Sequence, residues 1–310
     1  MIRHLFIINP EAGVKSCVAE ATERIKRAFI LNTDRRNETY DILLTEKKGD
    51  ATDFVRQACL ENPGFTRIYA CGGDGTLHEV IAGAVGAKDI AIGVVPVGSG
   101  NDFVRYFEDV LPRERFLDVS ACVRGDTVPC DVMRCGEIYS LNNISAGLDA
   151  VTGRRQQIVK RIPLVSGGAA YKLALGYSFL SSMYHPMRFV IDGEEVTIGK
   201  GAVTLAVVGN GRFYGGGFKA TPLADISDGL LDFVTIPALS QLQFLKYVSD
   251  YKNGRHLETV PNLYFKRVKK IQFLAEKPIS LQADGEIFTV KDPEIEVVPA
   301  AIRLILPKEK

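Results

Sequence analysis

No charge of one sign dominates this chain: 38 Lys and Arg stand against 37 Asp and Glu, for a net charge of +1. A general nucleic-acid binder shows a basic excess, so no nucleic-acid partner is expected. No apolar run approaches the ~20 residues that a bilayer-spanning helix needs. The apolar stretch within MIRHLFIINPEAG is too short for a secretory signal and runs straight into a turn. A cytoplasmic protein is therefore expected. The six cysteines form no CxxC pair and the four histidines are scattered, which excludes zinc-ligand spacing. Internal repeats, low-complexity tracts and long linkers are lacking as well. Two nucleotide fingerprints are also missing. There is no GxxxxGKS or GxxxxGKT, and no GxGxxG follows the first apolar segment.

What is present is the mixture of an ordinary globular protein, 310 residues with 46% hydrophobic and 24% charged. That length suggests two domains. Residues 2–8 (IRHLFII), 40–45 (YDILLT), 66–71 (TRIYAC) and 90–95 (IAIGVV) read as strands. Between them, Val14, Val18, Ala21, Ile25 and Ala28 recur at helical spacing, as do Leu77, Val80, Ile81 and Ala84. Asp50 is placed to cap a helix carrying Phe54, Val55, Ala58 and Cys59. Strands without alternation, linked by helices, imply a parallel sheet covered on both faces. After about residue 120 the pattern changes. Short segments rich in Val, Ile, Phe and Thr lie near 127–134, 138–145, 188–198, 202–208, 231–236, 265–274, 278–283 and 286–290. That spacing is the signature of an antiparallel sandwich or barrel. Helices are expected around 168–184 and from Ser240, where Gln243 completes a capping-box pattern. A last strand at 301–306 could return to the first domain.

Three turns rich in glycine or its companions close predicted parallel strands, at the sheet edge where open α/β folds bind ligands. They are Asn9-Pro10-Glu11-Ala12-Gly13, Gly72-Gly73-Asp74-Gly75-Thr76 and Pro96-Val97-Gly98-Ser99-Gly100-Asn101-Asp102. Glycines let the backbone approach a ligand, and successive amides at a helix start favour a phosphate. Thr76 and Ser99 add hydroxyl donors. Each turn alone reads equally well as a plain tight turn; three on one edge favour a phosphate site.

Here the residues carry a resemblance. Gly72–Val80 (GGDGTLHEV) resembles the signature of the diacylglycerol kinase catalytic domain, a family that includes sphingosine and ceramide kinases and the bacterial YegS/BmrU-like lipid kinases. The first and third turns resemble that family's other nucleotide loops. Val208–Gly211, Gly215–Phe218 and Asp225–Asp232 resemble the metal-bearing stretch of its bacterial members, and Leu281–Glu286 (LQADGE) its late acidic motif. The likeness covers nearly the whole chain. It implies a Rossmann-like α/β domain of the NAD kinase and phosphofructokinase type at 1–122, completed by 299–310. A C-terminal antiparallel β-sandwich at 123–298 follows from it too.

The same resemblance implies transfer of the ATP γ-phosphoryl group to a lipid hydroxyl, with diacylglycerol as the favoured acceptor. Sphingoid and polyprenyl alcohols, an NAD kinase-like activity and a non-catalytic nucleotide-binding regulator stay open as alternatives. ATP is expected at Asn9, Pro10, Gly13, Thr45, Gly72, Gly73, Asp74, Gly75, Thr76, Ser99 and Asn101. Mg2+ is expected at Asp225, Asp228 and the Leu230 carbonyl. Glu286 is expected as proton acceptor, with Asp74 and Asp102 as further catalytic carboxylates. Phosphoryl transfer needs positioning and charge neutralisation more than covalent help, and Mg2+ prefers oxygen ligands and keeps several waters. Asp284-Gly285 and Asp228-Gly229 also read as simple turn pairs. Lys15, just past the first turn, reads either as a phosphate contact or as a solvated side chain. Arg154, Arg155, Lys160 and Arg161, with the apolar 168–184, fit peripheral contact with the inner face of a membrane, and equally a solvated basic loop with a core-packed helix. Oligomeric state is left open, a homodimer included.

Overall fold

In a computed structural model the protein is described over residues 2–13, 17–30, 38–61, 64–98, 100–159 and 183–309. The chain divides into two compact units, Met1–Val132 with Val298–Lys310, and Met133–Val297.

The first unit alternates strand and helix: β1 (Ile2–Ile8), α1 (Cys17–Ile30), β2 (Glu38–Leu44), α2 (Asp50–Glu61), β3 (Thr66–Gly72), α3 (Asp74–Ala84) and β4 (Ile90–Pro96). The strands pair in parallel in the order β2-β1-β3-β4. Leu304, in the long strand Glu294–Leu306, pairs in parallel with Ile92, so the last strand belongs to this sheet. The strands do not alternate because both faces are covered. Phe6 and Ile8 pack with Ala21, Ile25 and Ala28 of α1 on one side, while Leu5 and Ile7 are equally buried on the other. Asp50 behaves differently from the expected cap. It is the first residue of α2, and its carboxylate accepts from the amides of Glu46 at 2.8 Å and Lys47 at 2.9 Å. Those two amides, which precede the helix, hold its carboxyl below the usual range.

The second unit is a sandwich. In one sheet Tyr264–Val268, Leu231–Pro237, Ala202–Gly209, Asn143–Gly147, Ile279–Ala283 and Glu286–Val290 lie side by side in that order, all antiparallel. Opposite them lie Glu194–Val196, Arg188–Ile191, Lys270–Leu274 and the first residues of Glu294–Leu306. Side chains of both sheets share one core, in which the Phe189 ring lies 5.0 Å from that of Phe233 and 5.2 Å from that of Phe273. Ala202–Gly209 is buried throughout for a definite reason. Ala206 and Val208 enter the sandwich core, while Leu205 and Val207 enter a second core with Phe244 and Tyr251 of the helix Gln241–Lys252.

That helix starts as its sequence predicts. The Gln243 amide donates to Ser240 Oγ at 3.3 Å, and Gln243 Oε1 accepts from the Ser240 amide at 2.9 Å. Three expected strands are hairpins or pairs instead, among them 265–274, which divides into Tyr264–Val268 and Lys270–Leu274 in different sheets. The stretch 138–145 splits into Ile138–Ser140 and Asn143–Gly147. The stretch 188–198 turns at Asp192-Gly193, whose φ values are 51° and 94°. A helix at Leu148–Val159 was not expected. Thr152 and Gly153 dilute its helical signal, and Thr152 Oγ1 donates back to the Leu148 carbonyl at 2.8 Å. The helix expected at 168–184 lies outside the described residues except for its last two.

Candidate active site

In the first unit the three turns interlock. Asn9 sits at the end of β1 and organises its own turn: its Oδ1 accepts from the Glu11 amide at 2.9 Å, and its carbonyl from the Ala12 amide at 3.1 Å. Its Nδ2 then reaches Thr76 Oγ1 at 3.2 Å, which joins the first turn to the second. Pro10 lies within this turn. Gly13 has φ +76°, and a Cβ there would meet the Val97 carbonyl oxygen at 2.2 Å, so the first turn lies on the third. The second and third turns touch backbone to backbone. The Gly98 amide donates to the Gly72 carbonyl at 3.0 Å, and a Cβ on Gly98 would stand 2.5 Å from Gly73 Cα. Thr45, just past β2, donates its amide to the Ile8 carbonyl at 3.0 Å and so borders the same edge.

The second turn feeds directly into α3. Gly73 is the N-cap and no side chain caps the helix, so the first-turn amides of Asp74, Gly75 and Thr76 stand where a phosphate can use them. Asp74 Oδ1 accepts from the Phe103 amide at 3.4 Å, tying this helix start to the short helix Asp102–Arg105. Asn101 adopts a left-handed conformation, φ 55°, which Asn tolerates better than most residues. Its Nδ2 donates to the Gly98 carbonyl at 2.6 Å and to that of Pro96 at 3.4 Å. Asp102 is buried and pairs with Arg105 Nε at 3.4 Å. Ser99 and Lys15 lie outside the described residues. Sequence reasoning missed Arg113, whose Nη2 stands 3.4 Å from the Pro96 carbonyl and 3.5 Å from that of Gly98. Nothing local marks it, since it reaches the loop from a different element.

The acidic residues belong to the second unit. Asp225, Asp228 and Leu230 come together in one turn. Asp225 Oδ1 accepts from the amide and the hydroxyl of Ser227, each at 2.9 Å, and Asp228 Oδ1 from the Leu230 amide at 2.9 Å. Asp228 Oδ2 lies 3.8 Å from Arg267 Nη1, whose Nε is 3.3 Å from Asp232 Oδ1. Among the described residues no group of three or more His, Cys, Asp or Glu is placed to hold a metal. The turn offers only hard oxygens: carboxylates that each engage one oxygen locally, and backbone carbonyls. That donor set suits Mg2+, which takes one or two carboxylates and keeps its waters.

Glu286 opens the strand Glu286–Val290, opposite Ala283 across the two-residue turn Asp284-Gly285, whose φ values are 46° and 93°. Asp284 is more than a turn residue. Its Oδ2 accepts from the Leu141 amide at 2.7 Å, and its Oδ1 from those of Asn142 at 3.0 Å and Asn143 at 3.1 Å. The hairpin that presents Glu286 is thus anchored to the segment before Asn143–Gly147.

Comparisons with known proteins place both units in one family. The family described as diacylglycerol kinase catalytic domain matches residues 3–135. The family described as YegS C-terminal NAD kinase beta sandwich-like domain matches residues 142–306. The protein named "Probable lipid kinase YegS-like" of Xanthomonas euvesicatoria pv. vesicatoria is 30% identical over 292 residues, 89% of each chain. Its namesake in Alcanivorax borkumensis is 29% identical over 286 residues, covering 89% of this chain and 90% of the relative. The chain belongs to the YegS-like lipid kinase family. It is a kinase, a phosphotransferase. A crystal structure of a diacylglycerol kinase from Bacillus anthracis str. Sterne shares its fold, with a TM-score of 0.74 at 22% identity over 98% of this chain and 96% of that one.

This kinase also carries a buried polar chain that sequence reasoning missed. Asp149, in the first turn of Leu148–Val159, accepts from the Tyr214 hydroxyl, and Tyr214 and Tyr251 share a hydrogen bond of 2.8 Å. Burial pushes the Asp149 carboxyl up to about 6, against the lowering effect of the Tyr214 hydrogen bond. The only signals in the sequence were an Asp two residues after Gly147 and a Tyr directly before Gly215–Gly217. Asp232, near Arg267, is likewise pushed up to about 6 by burial, with Arg267 opposing.

Proposed function

We propose that this kinase transfers the γ-phosphoryl group of ATP to the hydroxyl of a membrane lipid, converting diacylglycerol to phosphatidic acid. The observation that carries the reading is the interlocked set of three turns in the first unit. It gathers backbone amides, the uncapped start of α3 and the Thr76 hydroxyl at one sheet edge, as a triphosphate requires. The relatives' names supply the acceptor class.

In this reading the amides of Gly73–Thr76 orient the phosphates, and the Asn9–Thr76 contact keeps the first turn in place. The lipid oxygen attacks the γ-phosphorus, the bond from that phosphorus to the β-bridging oxygen breaks, and ADP leaves. Glu286 accepts the proton of the attacking hydroxyl. Asp225, Asp228 and the Leu230 carbonyl would hold Mg2+, which when bound neutralises phosphate charge. Asp74 and Asp102 are kept in place by the Phe103 amide and Arg105, and contribute negative charge beside the loops. The protein would act in the cytoplasm, at the inner face of the membrane.

The test incubates purified protein with labelled ATP, Mg2+ and a panel of lipid alcohols in mixed micelles. Diacylglycerol should be labelled well above a Glu286→Gln control that still binds ATP. No lipid labelled above that control, or labelling of NAD instead, would overturn the reading.

A further inference from the structure

The helix Gln241–Lys252 turns toward solvent a face that carries no acid. Of its exposed positions, Leu242, Leu245, Lys246, Ser249 and Lys252 follow three- and four-residue spacing, with Gln243 of the capping box beside them. Leu242 is 80% exposed and Leu245 53%. The opposite face is fixed in the core through Phe244 and Tyr251. The one acid of the helix, Asp250, is paired with Arg255 at 2.8 Å. Lys246 Nζ stands 5.1 Å from the centre of the Tyr247 ring.

A further exposed apolar residue emerges close by. Thr204 Oγ1 donates to the Met183 carbonyl at 3.1 Å and accepts from the Leu239 amide at 2.9 Å. One hydroxyl therefore holds the chain entering Tyr184, which is 53% exposed, beside the start of the helix.

We propose that this face, with Leu242 and Leu245 at its tip and Lys246 and Lys252 at its rim, is the surface by which the kinase docks on an anionic phospholipid bilayer. Two leucines one turn apart gain by leaving water for the acyl boundary, and exposed lysines beside them attract anionic headgroups. An acid-free exposed face complements a negative leaflet. No helix among the described residues is long and apolar enough to cross a membrane, so the contact is peripheral and the 12-residue helix lies in the interface. The inference rests on the proposed lipid substrate, since an acceptor embedded in a bilayer must be reached at its surface.

The test sediments the full-length protein with phosphatidylcholine vesicles, with and without about a third of phosphatidylglycerol. Wild type should bind the anionic vesicles and be released by high salt. Leu242→Ser/Leu245→Ser should weaken binding at least tenfold. Lys246→Gln/Lys252→Gln should remove the preference for anionic lipid. Thermal midpoints should match wild type, because all four side chains are exposed. Equal vesicle binding by the leucine variant would overturn the proposal. So would dimeric wild type becoming monomeric on the same substitution, which would give the face to a second copy of the chain. A dispersed short-chain diacylglycerol separates the two readings. If both hold, the leucine variant phosphorylates it normally and fails only on vesicle-embedded acceptor. If the lipid-kinase reading fails, neither acceptor is phosphorylated, yet the vesicle-binding result still decides the docking surface.

Discussion

The Asp284 carboxylate is the residue whose replacement most directly tests how the acidic hairpin is held. It accepts three backbone amides, from Leu141, Asn142 and Asn143, at 2.7, 3.0 and 3.1 Å. A hydrogen bond to a charged group contributes about 1.5–3 kcal/mol, and an amide left unsatisfied carries a penalty of about 1–3 kcal/mol. Asp284→Asn can keep the two bonds made by one oxygen, but it sets an NH2 group against the Leu141 amide. It should therefore lose about 2–3 kcal/mol. Asp284→Gly loses all three bonds without backbone strain, since φ is +46° at this position, and should lose about 4 kcal/mol. Asp284→Ala adds the left-handed penalty of about 1 kcal/mol more. Urea unfolding at neutral pH, followed by circular dichroism, reads these differences, and the thermal midpoint should fall by about 2–4 °C per kcal/mol. The order Asn, Gly, Ala is the decisive part. If Asp284→Asn unfolds within about 0.5 kcal/mol of wild type, the usual spread for an inert surface change, the carboxylate does not anchor the hairpin. In that case the placement of Glu286 needs another explanation.

Three further substitutions probe the rest of the site. Gly98→Ala puts a methyl group 2.5 Å from Gly73 Cα; it should destabilise the first unit by about 1–3 kcal/mol and abolish the thermal shift given by ATP, and an unchanged shift would refute the contact between the turns. Arg113→Gln should raise the KM for ATP about threefold to tenfold, roughly one lost hydrogen bond of ordinary strength, as its 3.4 and 3.5 Å contacts warrant, with kcat and the KM for lipid unchanged; an equal fall in kcat would argue against a positioning role. Asp149 titrates near 6 in the folded chain, above the ordinary 3.8, so the folded form holds its proton more tightly than the unfolded form does. The stability this adds is complete below about pH 4 and is lost as pH rises through 6. Asp149→Asn should therefore gain stability over wild type between about pH 4.5 and 7, read as urea midpoints, with Asp232 leaving a residual dependence of the same sign.

Much of the first unit was legible because its signals are local. A parallel strand buried on both faces is a continuous apolar run, and Leu5–Ile8 of β1 and the whole of β4 are such runs. The stripe Leu77, Val80, Ile81 and Ala84 is buried to the last residue. The turns at 9–13, 72–76 and 96–102 follow from glycine and from their place after strands. What could not be read is where long-range partners come from. Arg113 meets the third turn from 15 and 17 residues away. Asp284 meets Leu141 across 143 residues, with no periodicity to announce it. The raised titration of Asp149 depends on burial and on Tyr214, 65 residues on, and burial is a property of the packed unit rather than of a motif. Asp50 was misread for a related reason: the same residue type that caps a helix can bind the amides of the preceding turn.

Glycines that look alike in sequence differ in cause. A Cβ on Gly75 would meet nothing within 4 Å, so glycine there leaves an amide surface that a ligand can approach. In the second unit a Cβ on Gly209 would stand 2.2 Å from Thr221 Oγ1, and one on Gly211 would stand 2.5 Å from Asn142 Oδ1. Both neighbours are already engaged. Thr221 donates to the Gly211 carbonyl at 2.7 Å, and the Asn142 carbonyl accepts from the amides of Asn210 and Gly211, each at 2.9 Å. Val208–Gly211 is therefore glycine-bearing because protein packs against protein. Asn142 is bonded on one side to this strand end and on the other to Asp284. The hairpin of Glu286 and the stretch leading to Asp225 are thus stapled to the same three residues, Leu141–Asn143. It follows that Gly209→Ala should disturb Glu286 through the staple, whereas Gly75→Ala should alter nucleotide affinity with the second unit's stability unchanged.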